Sequence, residues 1–152
     1  FIPLLIHFIG KPVKLTCAGI PFDREKYLEH GAFNRRSGGY DATMALLQRN
    51  RGDLPTALCA ASASMLMGTF GAIRDYGLRV PEDISLIGID EVDMAMYTTP
   101  PLSIVATSCE SAAKETVLRL IELVERGEAS QSDYVIPDAK LYMRESVRLL
   151  QS

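Results

Sequence analysis

Two apolar runs lead into residues that can hold a polar ligand. Ile84-Ser85-Leu86-Ile87-Gly88-Ile89 delivers Asp90, followed by Glu91 and Asp93, and Thr56-Ala57-Leu58-Cys59-Ala60 delivers Ser62 and Ser64. A carboxylate accepts on two oxygens at once. Asp90 therefore suits bidentate hydrogen bonding to vicinal hydroxyls, and equally metal or phosphoryl chemistry. Each residue also has a plain structural alternative. Asp90 could cap a helical turn over Val92–Met96, and Ser62 could cap a helix beginning near Ala63.

No catalytic constellation accompanies these residues. The chain has no GxSxG elbow, HExxH or phosphate-binding loop, and the Gly38-Gly39 pair is not a dinucleotide fingerprint. Cys17, Cys59 and Cys109 are widely spaced, and with His7 and His30 they show no metal-ligand spacing, so they read as free thiols in a reducing compartment. No metal and no cofactor is expected. The residues favour a binding module over an enzyme; the enzymatic alternative is a doubly wound fold that uses Asp90.

Composition narrows the partners. The 152 residues fit one domain, 47% hydrophobic and 23% charged, with a net charge of −3. Residues 51–102 carry three basic and seven acidic side chains, a poor surface for phosphates. No basic stripe marks a DNA-binding face. The apolar opening Phe1–Ile9 is broken by Pro3 and His7 and falls short of the ~20 residues of a membrane span. A soluble, cytoplasmic protein is expected.

These residues need a scaffold, and the sequence punctuates one clearly. Ser37 is expected to cap a helix over Gly38–Asn50, ended by Arg51-Gly52-Asp53-Leu54-Pro55. A strand over Thr56–Ala60 precedes a helix over Ala63–Tyr76 that stops at Gly77. The strand to Asp90 follows, then an extended stretch over Leu102–Ala106. Thr107-Ser108-Cys109-Glu110 forms a capping box for a long helix to Arg126, with Ala113, Val117, Leu120, Ile121 and Val124 as its apolar stripe. Short strands are expected at Tyr134–Ile136 and Leu141–Arg144. This alternation predicts an α/β fold, a three-layer doubly wound parallel sheet with helices on both faces. Ligands in such sheets bind beyond the carboxyl ends of the strands, where Ser62 and Asp90 fall.

Longer stretches carry a resemblance. Pro55–Ala61, Met65, Gly68, Ala72-Ile73 and the run from Gly77 to Asp90 resemble the LacI/GalR regulators. So do Tyr97–Val105 and Arg144-Glu145-Ser146, with Ala18–Phe22 and Phe33–Tyr40 as the lead-in. The resemblance covers about residues 18–148. It implies a two-lobed, periplasmic-binding-protein-like sensor, in which a sugar or nucleoside effector bound between the lobes shifts a dimer and repositions helix-turn-helix heads on an operator. Residues 18–152 would be the C-terminal lobe and residues 1–17 a divergent lead-in, where Lys11-Pro12 would interrupt the expected helix. The head and most of the N-terminal lobe would lie outside this chain, and DNA would be reached only through them.

The same resemblance places effector contacts at Phe33, where a ring stacks on the ligand, and at Asp90, which takes its hydroxyls. His7 lies near the place of a usual Arg. Ser62 and Ala63 stand where the family commonly has Asn and Asp, which implies a different ligand, weak binding or none. Met65, Leu66, Met67, Phe70 and Ile73 make their helix apolar almost all round, so one side should meet the sheet. The other is expected to meet a second subunit, with Met65, Leu66 and Phe70 in a homodimer interface, unless the same chain covers it. Two other readings are a stand-alone solute-binding protein of this architecture and a fragment that no longer binds an effector.

Overall fold

The computed structural model describes residues 4–5, 16–17, 20–21, 23–32, 35–89, 93–106, 109–126 and 139–149. Its main sheet has the order β1-β4-β5-β6-β7, from Leu4–Leu5, Ala57–Ala60, Ser85–Ile89, Ser103–Ala106 and Lys140–Tyr142. β1, β4, β5 and β6 run parallel, and β7 pairs antiparallel with β6, so the sheet is mixed. The expected α/β architecture stands, with an antiparallel edge added. A small hairpin of β2 (Thr16–Cys17) and β3 (Ile20–Pro21) and a one-turn α1 (Arg24–Tyr27) precede the longer helices. Those helices are α2 (Arg36–Arg49), α3 (Ala63–Asp75) and α4 (Cys109–Arg126).

The middle of the chain folds as its punctuation predicts. At the end of α3, Gly77 takes φ +90° and donates to the Arg74 carbonyl, while Leu78 N–H reaches back to Ile73. That double closure needs a left-handed residue, which glycine adopts without strain. Leu58, Leu66, Ile73, Leu86 and Leu102 are fully buried and form one core with Leu46 and Leu47 of α2. Leu66 sits directly on β5, where a Cβ at Gly88 would lie 2.5 Å from its Cδ2 atom.

α2 and α3 pack backbone to backbone. A Cβ at Gly68 would meet the Arg36 carbonyl oxygen and lie 2.8 Å from Tyr40 N, and one at Gly39 would lie 2.7 Å from Met65 Cα. In the same interface the Thr43 hydroxyl donates to the Gly39 carbonyl at 2.7 Å and lies 3.0 Å from the Thr69 hydroxyl.

One expectation is corrected. Ser37 is not the cap of α2: the helix begins at Arg36, Arg35 holds the extended cap position, and no side chain caps it. Met65 and Leu66, expected in a homodimer interface, are buried within the protomer against α2 and β5, and Phe70 is half-buried. The long helix α4 forms, with Val117, Leu120, Ile121 and Val124 of its stripe exposed. Glu115 and Arg119 do pair across one turn, at 3.2 Å. The capping residues Thr107 and Ser108, the stop Gly127 and the Tyr134–Ile136 strand lie outside the described residues.

The C-terminal segment locks the sheet from below. Ser146 is fully buried, and its hydroxyl donates to the Leu86 carbonyl at 2.6 Å while accepting from Ser103 N–H at 2.7 Å. Its backbone joins the same cluster, with Leu86 N–H donating to Ser146 O at 2.8 Å and Ser146 N–H to Pro101 O at 3.1 Å. Arg144 adds a guanidinium bond to Leu102 O at 2.5 Å.

Candidate functional site

The parallel strands β4, β5 and β6 end close together at Ala60, Ile89 and Ala106, with Ala60 paired to Gly88 and Ile89 to Val105. Ser62 stands two residues past the first of these ends. It caps α3: its backbone is extended (φ −152°, ψ 161°), and its side-chain oxygen accepts from Met65 N–H at 3.4 Å. The capping alternative is therefore the observed one, and Ser62 is buried in that role. Asp90 directly follows Ile89 in sequence, but Asp90, Phe33 and His7 lie outside the described residues. A 3-10 turn does form at Asp93–Met96, with Ala95 in the core and Met94, Met96 and Tyr97 exposed.

The sequence did not show how Ala32 is tied to this edge. Gly39 lies against the Met65 backbone in the first turns of α3, three residues from Ser62. Gly38, its neighbour, touches the other side: a Cβ there would meet the Ala32 carbonyl oxygen and lie 2.6 Å from Ala32 N. The chain thus runs in unbroken contact from Ser62 through Met65, Gly39 and Gly38 to Ala32. The signal was present in the Gly38-Gly39 pair, which marks close backbone approach as readily as a phosphate loop.

The approach to this stretch is clasped to the far end of α2. Arg49 donates to Glu29 at 2.5 Å and to the Leu28 carbonyl at 3.2 Å, and the Asn50 amide donates to the Lys26 carbonyl at 3.0 Å. Burial alone would raise the Glu29 carboxyl. The Arg49 guanidinium and the His30 N–H outweigh it and hold the group below the usual carboxylate range.

Cys59 lies one residue before the end of β4 and is a buried free thiol, pushed up to about 11 by its burial. Its reactivity is the check. In a Cys17→Ser/Cys109→Ser background at pH 8, Cys59 should react with a thiol reagent about 100-fold more slowly than in the urea-unfolded chain, since the thiolate is the reacting form. Because the folded value exceeds the unfolded one, stability is intact below pH 9 and falls between about pH 9 and 11. Equal rates in the folded and unfolded chain would contradict this placement.

The described residues also enclose an open cleft of about 310 Å³ against the amino halves of β4 and β5, lined by Ala57, Leu86, Ile87, Met143, Val147 and Leu149 among others. Its walls are almost wholly apolar and offer a hydroxylated ligand few partners. No group of three or more His, Cys, Asp or Glu able to hold a metal occurs among the described residues. No described helix is long and apolar enough to cross a membrane.

Comparison with known proteins follows the same frame. Residues 12–147 match the family described as periplasmic binding protein-like domain. The chain is 31% identical over 141 residues to the HTH-type transcriptional repressor PurR of Glaesserella parasuis, covering 90% of this chain and 40% of that protein. Among solved structures it resembles the Escherichia coli transcriptional repressor AscG, with TM-score 0.66, 30% identity and coverage of 85% of this chain and 45% of that one. It also resembles the transcriptional regulator CelR in complex with cellobiose, with TM-score 0.73, 28% identity and coverage of 85% and 38%. The chain spans about two fifths of the length of such relatives. It belongs to the family of periplasmic-binding-protein-like domains, in the form carried by LacI-type transcriptional regulators.

Proposed function

We propose that this chain is the effector-sensing part of a LacI-type transcriptional regulator. It takes a small sugar, sugar derivative or nucleoside at the carboxyl ends of its parallel strands, and operator binding belongs to a helix-turn-helix domain outside these residues. The chain works by binding and not by catalysis. The observation that supports this most is the likeness of the chain to the transcriptional regulator CelR in complex with cellobiose, at TM-score 0.73 over 85% of this chain. In this reading Asp90 accepts from ligand hydroxyls, Phe33 stacks on the ligand's apolar face, and His7 and Ser62 line the edge. Ser62 contributes little beyond its cap, because its hydroxyl is already engaged with Met65 N–H.

A thermal-shift screen against sugars, sugar phosphates, polyols and nucleosides tests this, repeated on Asp90→Ala. A ligand at a hundredfold excess over its dissociation constant stabilises the native state by about 2.7 kcal/mol, an easily measured shift. The expected result is a shift with one ligand class that Asp90→Ala abolishes. No shift in either protein would favour the reading of a fragment without effector binding.

The chain is also proposed to form a homodimer. Since Met65 and Leu66 belong to the protomer's own core, any contact along α3 draws on the half-buried Phe70. Light scattering at micromolar concentration should give twice the 16.7 kDa chain mass, and Phe70→Glu should return the monomer. A monomeric parent protein would overturn the proposal.

A further inference from the structure

We infer that residues 23–31 form a strap along α2, anchored at Gly31 and held at its other end by a polar latch on Arg49 and Asn50. The latch weakens with rising salt and releases the strap while the α2–α3 core stays folded. This device is independent of what the strand ends bind.

The latch sits at the C-terminal end of α2. Arg49 donates to the Glu29 carboxylate at 2.5 Å, to the Leu28 carbonyl at 3.2 Å and to the Lys26 carbonyl at 3.4 Å. The Asn50 amide donates to the same Lys26 carbonyl at 3.0 Å and to Leu46 O of its own helix at 2.9 Å. Asn50 is buried, so this donor is fixed in place before the strap arrives. Beyond the helix end, the Lys26 ammonium meets Asp53 at 2.5 Å. Two carbonyls, an acid and a base of the strap thus close on residues 49–53.

The strap adds nothing to the core. Among the described residues, the buried apolar cluster and the partly buried side chains packed on it include none of residues 23–32. Lifting the strap therefore removes no member of that cluster. Its ion pairs are open to solvent, with side-chain exposures of 33% and 77% for Lys26 and Asp53 and 38% and 25% for Arg49 and Glu29. Such pairs are weak singly and fade with ionic strength, as apolar packing does not. The hold at Gly31 is of the other kind. A Cβ there would meet the Gly38 carbonyl oxygen and lie 2.6 Å from Gly38 C, so the two backbones touch. That contact involves no ion pair, and salt leaves it intact.

Trypsin reads the latch directly, because the latch holds both the Lys26 side chain and the carbonyl of the bond to be cut. The initial rate of Lys26–Tyr27 cleavage in the full chain is followed by mass spectrometry. Division by the rate for a free peptide of residues 20–32 removes any effect of salt on the protease. Cleavage of this kind tracks the population of the open form. Between about 0.1 M and about 1 M NaCl the screening length falls from about 10 to about 3 Å, and the normalised rate should rise about threefold. Arg49→Met should raise it about tenfold at the lower salt and flatten the salt response, because Arg49 supplies three of the bonds. Arg51→Met, exposed and two positions further on, should match the parent. Cleavage after Arg74 in α3 should stay at the parent rate, since a local opening leaves the rest folded. Equal rates at Lys26 in the parent and Arg49→Met overturn the inference, as does a parent rate indifferent to salt. So does a rise after Arg74 in step with Lys26, because the latch would then support the whole fold.

Discussion

Gly68→Leu is expected to lower the stability of the chain by about 3 kcal/mol or more, since overpacking of a close-packed site costs 1–3 kcal/mol and occasionally more. The atom that would be displaced is not the tip of a side chain. A Cβ at Gly68 meets the Arg36 carbonyl oxygen, 3.0 Å from Arg36 C and 2.8 Å from Tyr40 N, all of it α2 backbone. α2 is held at the same crossing by Gly39 on Met65, so the helix cannot slide without losing that contact too. Separating the helices also opens Leu46 and Leu47, both fully buried, and breaks the Thr43–Thr69 contact at 3.0 Å. Single domains are stable by only about 5–15 kcal/mol, so urea denaturation should show a large drop in midpoint or no folded baseline at all. Gly71→Leu is the matched comparison. Its nearest neighbour is the Tyr40 ring carbon at 3.8 Å, and the change there should be small. Similar midpoints for the two variants would mean that α2 and α3 do not pack this way.

Ser146→Val should cost about 2–4 kcal/mol, because removing one partner leaves buried donors and acceptors unsatisfied at about 1–3 kcal/mol each. Two such groups depend on its hydroxyl: the Leu86 carbonyl at 2.6 Å and Ser103 N–H at 2.7 Å. Both belong to the central strands or their pairing, and neither can turn to water, since Ser146, Leu86 and Ser103 are buried. Ser146→Thr keeps the hydroxyl and should recover part of the loss. A chemical denaturation series over the three proteins reads the result. Equal stability of the valine variant and the parent would contradict the bond network at this position.

The elements that were legible in the sequence are those whose signals are local. The apolar runs of β4 and β5, the cap at Ser62 and the stop at Gly77 each act within a few residues, and each lies where expected. The start of α2 was not legible, because packing against α3 fixes it. Gly39 and Gly68 bring the backbones together, and the helix begins at Arg36 without a side-chain cap, leaving Ser37 inside it. A helix apolar on all sides announces burial but not the identity of its cover. Met65 and Leu66 were read as interface residues, and within the protomer contact with α2 and Gly88 buries both. The stripe of α4 shows the same limit from the other direction, since periodicity predicts a face without predicting that anything covers it. At the candidate site, the sequence pointed to the strand ends. The glycine contacts that tie Ala32 to Met65 needed the fold, because Gly39 of α2 meets Met65 on a different helix.

We propose that a small hydroxylated ligand binds at the carboxyl ends of the parallel strands. The most direct test of this proposal is amide chemical-shift mapping of the isotope-labelled chain titrated with the tightest ligand of the screen. Saturable shifts are expected at Ala60–Ala63, Ile89–Asp93 and Phe33, with Thr56, Ser85, Met143 and Val147 around the amino-side cleft unmoved. Shifts confined to that cleft, with the strand ends silent, would contradict it.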